Sequence, residues 1–169
     1  SWKEFISKEG NFKIKFPIAP RKKESSALND LGASKMITFE VLLKEIGFQI
    51  GFVDFPSSVV DQEELKVRYD NAVEGIQRRG GGKITYQQDF YFEQFMGREV
   101  IYENANIYQV IRMILVNNRF YNLSVLTLAS NNRKNAQKSN FEGQKNKFFN
   151  SFKFLEIPEY DQFTQKLPD

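Results

Sequence analysis

The stretch KMITFEVLLKEIGFQIGF, residues 35–52, decides the fold of this 169-residue chain. Apolar residues occupy every second position on both sides of the polar pair Lys44-Glu45. Residues that alternate in this way lie on one face of a β-strand, and a short polar break between two such runs is typical of a turn. The stretch therefore predicts a long antiparallel hairpin whose apolar face carries Ile37, Phe39, Val41, Leu43, Ile46, Phe48, Ile50 and Phe52.

Further strand-like runs lie on either side of this hairpin. They cover residues 12–16, 83–92, 98–103, 107–116 and 119–128. We expect a turn at residues 8–11, with Gly10 supplying a positive φ, and another at Asn117-Asn118, since Asn tolerates positive φ. Residues 21–33 are polar and irregular, so we predict an exposed loop there.

Two segments have the spacing of amphipathic helices. In residues 61–79, apolar side chains recur every three or four positions from Leu65 to Ile76, Asp61 is suited to the N-cap, and Gly80-Gly81-Gly82 follows the last turn. The second helix is predicted over 139–151, because Ser139 and Glu142 have the spacing of a capping box. Its apolar stripe consists of Phe141, Phe148, Phe149 and Phe152.

The order of these elements defines the fold class. Runs of antiparallel strands that each precede a helix are typical of α+β proteins. We predict an α/β/α sandwich with a central antiparallel sheet of six to eight strands and two principal helices. Residues 1–154 are predicted to form a single domain, and residues 155–169 an acidic C-terminal tail.

The composition excludes several kinds of catalysis. The chain contains no histidine and no cysteine, so Ser-His-Asp, Cys-His and histidine–metal sites cannot form within it. We predict no catalytic residue, no metal site and no cofactor. The net charge of +3 is too small to indicate nucleic-acid binding, and no apolar run is long enough to cross a membrane as a helix.

Carboxylates leave one enzymatic alternative. Asp54, Asp89, Glu99 and Glu103 lie in or beside strands, and two convergent carboxylates would suffice for acid–base chemistry. We interpret Asp54 as a strand-end residue and expect Arg112 to pair with Glu99 on a neighbouring strand. Gly80-Gly81-Gly82 does not indicate a phosphate loop, because it follows a helix instead of preceding one.

The segment 131–153 carries the main charge asymmetry of the chain. It has six basic residues and one acidic residue, Glu142. It is either a solvated helix face or a surface for an acidic partner, an anionic lipid or another anion. The candidate partner surface consists of Arg133, Lys134, Lys138, Lys145 and Lys147.

Several segments, in this order and spacing, resemble the PsbP-like family, whose fold is shared with the Mog-type Ran-binding protein. They are residues 2–5 (WKEF), 10–17 (GNFKIKFP), 53–56 (VDFP), 81–83 (GGK), 96–99 (MGRE), 112–121 (RMILVNNRFY) and 148–154 (FFNSFKF). The resemblance implies the Mog/PsbP-like sandwich and a non-catalytic role. The ion-related histidines of photosynthetic members have no counterpart here, so that function does not carry over.

The leading hypothesis is a non-enzymatic binding or accessory module whose partner is a protein. Two alternatives stay open: a carboxylate-dependent enzyme, and an anion or membrane-surface binder that uses residues 131–153. The chain begins at Ser1, and bacterial proteins of this pattern are often exported or anchored, so we expect a periplasmic, secreted or membrane-anchored location.

Overall fold

The hairpin of residues 35–52 lies within an antiparallel sheet of seven strands. The computed structural model describes residues 1–29, 32–59 and 61–159. The strands are β1 (Lys3–Ser7), β2 (Phe12–Phe16), β3 (Arg21–Asn29), β4 (Gly32–Leu42), β5 (Ile46–Asp54), β6 (Lys83–Phe92), β7 (Phe95–Glu103), β8 (Ile107–Val116), β9 (Arg119–Leu128) and β10 (Lys153–Phe154). The large sheet has the order β3-β4-β5-β9-β8-β7-β6, and β1-β2-β10 form a second, three-stranded sheet.

Two helices pack on opposite faces of the large sheet. Helix α1 (Gln62–Gly80) covers one face, where Leu65, Tyr69 and Val73 join a core with Val100 and Leu115. Helix α2 (Asn135–Asn150) and the small sheet cover the other face, which is rich in phenylalanine. The predicted α+β sandwich, with a seven-stranded antiparallel sheet between two principal helices, is confirmed.

Helix α1 has the predicted ends. The Asp61 carboxylate accepts a hydrogen bond from the Glu64 backbone N–H at 2.8 Å, which satisfies one of the free N–H groups of the first turn. At the other end Gly81 adopts φ 68° and donates its N–H to the Gln77 carbonyl at 2.9 Å. Glycine adopts this left-handed conformation without a steric penalty, so the helix ends there.

Helix α2 begins four residues before the predicted position. Lys134 precedes it without a side-chain cap, and Ser139 lies inside the helix, so the capping-box prediction is wrong. The first helical backbone bond runs from Lys138 N–H to the Lys134 carbonyl. The polar residues 135–138 tolerate a helical backbone, and burial of Phe141 and Phe148 fixes the helix. The cap preference of one residue is weaker than this packing.

The predicted loop at 21–33 is also wrong. Its described residues form β3 and the start of β4, and residues 30 and 31 lie outside the described residues. β3 pairs with β4 along its whole length, and Arg21 contacts Glu40 across the strands at 3.0 Å. β3 is an edge strand, so it pairs with one neighbouring strand only and does not need an apolar face. It can therefore carry charged residues and lack apolar alternation.

The turn before β2 also differs from the prediction. Asn11, not Gly10, has the positive φ, at 56°. Gly10 is required for a different reason, since a Cβ at this residue would lie 2.5 Å from Cε1 of Phe12 and 2.8 Å from Cε1 of Phe52. The glycine therefore lets the turn approach the core.

The described start of the C-terminal tail is tied to the body of the protein. Asn11 donates its side-chain amide to the Glu156 carbonyl at 2.8 Å and accepts the Glu156 N–H at 3.0 Å. Asn117 donates to the Glu159 carbonyl at 3.1 Å. Residues 160–169 of the predicted tail lie outside the described residues.

Candidate functional site

Helix α1 covers only part of its sheet face. Its apolar stripe packs over β7 and β8, where Val100, Met113 and Leu115 are buried. Beyond this contact the same face continues over β5, β9 and β4. We call this uncovered surface of β4, β5, β9 and the start of β8 the open face, and it holds a concave site.

A cavity of about 340 Å³ lies where the open face meets the last turn of α1. We call it the polar groove. Its floor is formed by alternate residues of three neighbouring strands, which are Thr38, Gln49, Gly51, Asn122 and Ser124. Ile76 and Arg79 of α1 form one wall, and Gln109 and Ile111 of β8 continue the floor beneath that helix.

The floor carries hydroxyl and amide groups without internal partners. Thr38 and Ser124 are only 6% and 3% exposed as residues, and their hydroxyls, which have no hydrogen bond to the described residues, reach the surface of the groove. The side-chain amides of Gln49, Gln109 and Asn122 are likewise unpaired there. Buried polar groups are normally hydrogen-bonded, so these groups depend on solvent or a ligand in the groove.

The end of the groove is formed by Tyr102, Asn104 and Gly80. The Tyr102 side chain is buried, and its hydroxyl accepts a hydrogen bond from the Asn104 amide at 3.2 Å. A Cβ at Gly80 or Gly82 would overlap this hydroxyl. Gly81 therefore ends the helix, and Gly80 and Gly82 leave space for the Tyr102 side chain.

An apolar patch borders the groove on the open face. Leu42 is 77% exposed and Leu128 is 44% exposed, which is unusual for leucine within strands. A Cβ at Gly47 would lie 3.2 Å from both Leu42 Cδ1 and Leu126 Cγ, so these two leucines close over the glycine from opposite sides. We call Leu42, Leu126 and Leu128 the leucine patch.

Three of the four candidate carboxylates, those of Asp54, Asp89 and Glu99, are held by arginines, and Glu103 forms no ion pair with the described residues. Arg119 binds both oxygens of Asp54, at 2.6 and 2.9 Å, and this contact raises the pKa of the arginine. Asp89 accepts from Arg98, which also binds Asp70 on α1. Burial opposes the charge of Arg98, but these two carboxylates outweigh it and its pKa is raised. These contacts support the interpretation of Asp54 as a strand-end residue.

Arg112 pairs with Glu99 as predicted, with 2.7 Å between Nε and Oε2. Its guanidinium also lies between two aromatic rings, 4.6 Å from the Phe149 centroid and 5.1 Å from the Phe90 centroid. Asp89 of β6 is paired with Arg98 of β7, and Glu99 is the next residue of β7. Successive residues of a strand point to opposite faces of the sheet, so Asp89 and Glu99 lie on opposite faces. These two carboxylates therefore do not converge on one site.

The predicted basic surface divides into two parts. Lys145 is bound to Glu142 at 2.6 Å, and Lys147 lies 5.0 Å from the Trp2 ring centroid. Arg133, Lys134 and Lys138 are exposed at the start of α2, and none of them pairs with an acid within the described ranges. Of the five predicted residues, these three are thus the ones without an acidic or aromatic partner in the described ranges.

No group of metal-ligating side chains was found among residues 1–29, 32–59 and 61–159. No helix in the same ranges is long and apolar enough to span a membrane.

Sequence reasoning missed the polar groove. The available signal was the run Gly47, Gln49, Gly51 on the non-apolar side of β5. It marks a strand face without large side chains, but pairing with β4 and β9 is needed to assemble the floor.

Comparison with solved structures supports the fold. The chain is similar to the solution structure of the cyanobacterial PsbP protein (CyanoP) of Synechocystis sp. PCC 6803, with a TM-score of 0.58 and 9% identity. The match covers 91% of this chain and 92% of that chain. The protein therefore has a PsbP-like fold. No family model and no curated protein sequence matches it.

Proposed function

We propose that the chain is a non-catalytic binding module that holds a protein partner against its open face. The observation that carries this proposal is the leucine patch beside the polar groove. Apolar side chains that stay exposed next to a concave polar surface are typical of interaction sites.

The groove chemistry supports binding over catalysis. Its described lining contains no aspartate, glutamate or lysine, and its titratable side chains are those of Arg79 and Tyr102. The groove therefore presents no carboxylate or amine, and the chain has no imidazole or thiol, for general acid–base catalysis. The carboxylates that would serve the enzymatic alternative, such as Asp54 and Glu99, are occupied by arginines elsewhere.

Site-specific photo-crosslinking in the native host tests this proposal. A photoreactive residue at Leu42 should give a discrete crosslinked product, and Leu128→Asp in the same chain should abolish it. Val67 is the matched control position, since it is 50% exposed on the outer side of α1. The same product from position 67, or its persistence with Leu128→Asp, would contradict the proposal.

A further inference from the structure

Arg79 is an arginine without a carboxylate partner at the edge of a cavity. Six other arginines pair with acids, namely Arg21, Arg68, Arg78, Arg98, Arg112 and Arg119. Arg79 has no such pair in the described part of the chain, although it follows Arg78 directly and lines the polar groove. The groove therefore carries one uncompensated positive charge.

A glycine in the middle of α1 makes space for this arginine. A Cβ at Gly75 would lie 3.0 Å from Nη1 of Arg79. Glycine in a helix interior is less favourable than alanine by roughly 0.5–1 kcal/mol. The helix thus contains a destabilising residue at the position over which the Arg79 guanidinium lies.

The charge stands above a floor of neutral groups that both donate and accept hydrogen bonds. Hydroxyl and amide side chains have this dual capacity, and Thr38 and Ser124, more than nine-tenths buried as residues, present their hydroxyls to the groove without an internal partner. Groups of this kind match the hydroxyl groups of a polyol, which also donate and accept. A cavity of about 340 Å³ has space for roughly ten water-sized groups at about 30 Å³ each.

We propose that the polar groove binds a small hydroxylated carboxylate, such as a sugar acid, with its carboxylate on Arg79 and its hydroxyls on the floor. One guanidinium matches one carboxylate through two parallel hydrogen bonds. A phosphate would fit less well, because the groove offers a single cation for its two charges, and the adjacent carbonyl end of α1 repels a dianion more strongly than one carboxylate. This site is separate from the leucine patch and goes beyond the proposed protein partner.

The test is a titration of the full chain with D-gluconate, followed by NMR of the backbone amides. Sorbitol, which has the hydroxyls without the carboxylate, and acetate, which has the carboxylate alone, are the comparison probes. Up to about 50 mM, gluconate should give saturable shifts centred on Gly51, Asn122 and Ser124. It should bind at least tenfold more tightly than sorbitol or acetate, and higher salt should weaken gluconate binding while leaving sorbitol binding unchanged.

Variants separate this site from general surface charge. Arg79→Gln should weaken gluconate binding about tenfold, to the level of sorbitol, and leave sorbitol binding unchanged. Arg78→Gln is the matched control, because Arg78 is the adjacent arginine, is exposed and already faces Glu74. It should leave gluconate binding unchanged.

Gly75→Ala should weaken gluconate binding by displacing the guanidinium, while the helix itself remains folded. The proposal is overturned if gluconate produces no saturable shifts in the groove, if Arg79→Gln and Arg78→Gln have equal effects, or if inorganic phosphate binds more tightly than gluconate. Loss of the Leu42 crosslink would not affect this result, since the two tests use different residues and probes.

Discussion

The Tyr69 hydroxyl joins helix α1 to the sheet by entering the ladder between β7 and β8. Regular pairing of these strands ends at Gly97 and Ile114. At the next position the hydroxyl donates to the Met96 carbonyl at 2.7 Å and accepts the Leu115 N–H at 2.8 Å. The side chain is fully buried, so water does not reach these groups in the native state. We therefore predict that Tyr69→Phe is strongly destabilising.

The magnitude follows from the two hydrogen bonds. Each contributes about 1 kcal/mol, and a buried backbone group left without a partner costs about 1–3 kcal/mol. Tyr69→Phe should therefore lower the free energy of unfolding by about 2–4 kcal/mol. Urea unfolding at neutral pH, followed by circular dichroism, measures this change.

Tyr108→Phe is the control for this measurement. Tyr108 is half-buried, and its hydroxyl has no hydrogen bond to the described residues. Its removal should change the free energy of unfolding by less than about 0.5 kcal/mol. If Tyr69→Phe were equally mild, the two strands would be able to pair without the hydroxyl, and the reasoning would be refuted.

The pH dependence provides a second readout. Burial raises the pKa of Tyr69 above its usual value. Below a pH of about 10 the tyrosine is protonated in both states. Above that pH the unfolded chain loses the proton while the folded protein retains it, so the free energy of unfolding falls as pH rises. Tyr69→Phe should reduce this alkaline loss, and the smaller loss that remains should come from Tyr108 and Tyr121, whose pKa values burial also raises.

Three further predictions use the same unfolding assay or a binding assay. Gly82→Ala should lower the free energy of unfolding by about 1–3 kcal/mol, because its Cβ would overlap the Glu103 carbonyl and Tyr102. Gly143→Ala places a Cβ in open space within α2 and should raise the free energy of unfolding by about 0.5–1 kcal/mol. Equal effects of the two substitutions would contradict the packing at Gly82. Glu99→Ala should lower the free energy of unfolding by about 1–3 kcal/mol, because it leaves the half-buried Arg112 without its carboxylate. The double variant Arg112→Met, Glu99→Leu should recover most of that loss of stability. If it recovers none, the unpaired arginine is not the cause of the loss. If the basic segment binds anions, the triple variant Arg133→Glu, Lys134→Glu, Lys138→Glu should reduce binding to heparin or anionic vesicles at low salt. The double variant Lys145→Glu, Lys147→Glu should have a smaller effect, because both lysines already have partners. Equally weak binding by all three proteins would show that the segment is a solvated face.

Local patterns were sufficient for α1 and the central hairpin. Asp61 and Gly81 set the ends of α1 through contacts with residues three or four positions away, Glu64 and Gln77. The hairpin follows from alternation alone, because one face of β4 and β5 is buried in the phenylalanine core. The Arg112–Glu99 pair was also predictable, since both residues interrupt otherwise apolar strands that were expected to be neighbours.

Contacts with other elements decided the two elements that were predicted wrongly. β3 has no apolar alternation, and only its ladder with β4 makes it a strand. The start of α2 depends on the burial of Phe141 and Phe148, which allows the helix to extend upstream of its predicted cap. β3 pairs with the strand that directly follows it, but its charged sequence has no alternation that would indicate this, whereas the start of α2 depends on contacts with distant parts of the chain.

The sequence by itself determined a PsbP-like α+β fold and, through the lack of histidine and cysteine, removed whole classes of catalysis. Only the tertiary structure decided where a ligand or partner could bind. The polar groove takes Thr38, Gln49, Ser124 and Arg79 from four separate elements, and it exists because α1 covers only part of one sheet face. How far a helix extends across a sheet depends on the packing of the whole apolar core, so the residues of the open face became recognisable only once that core was assembled.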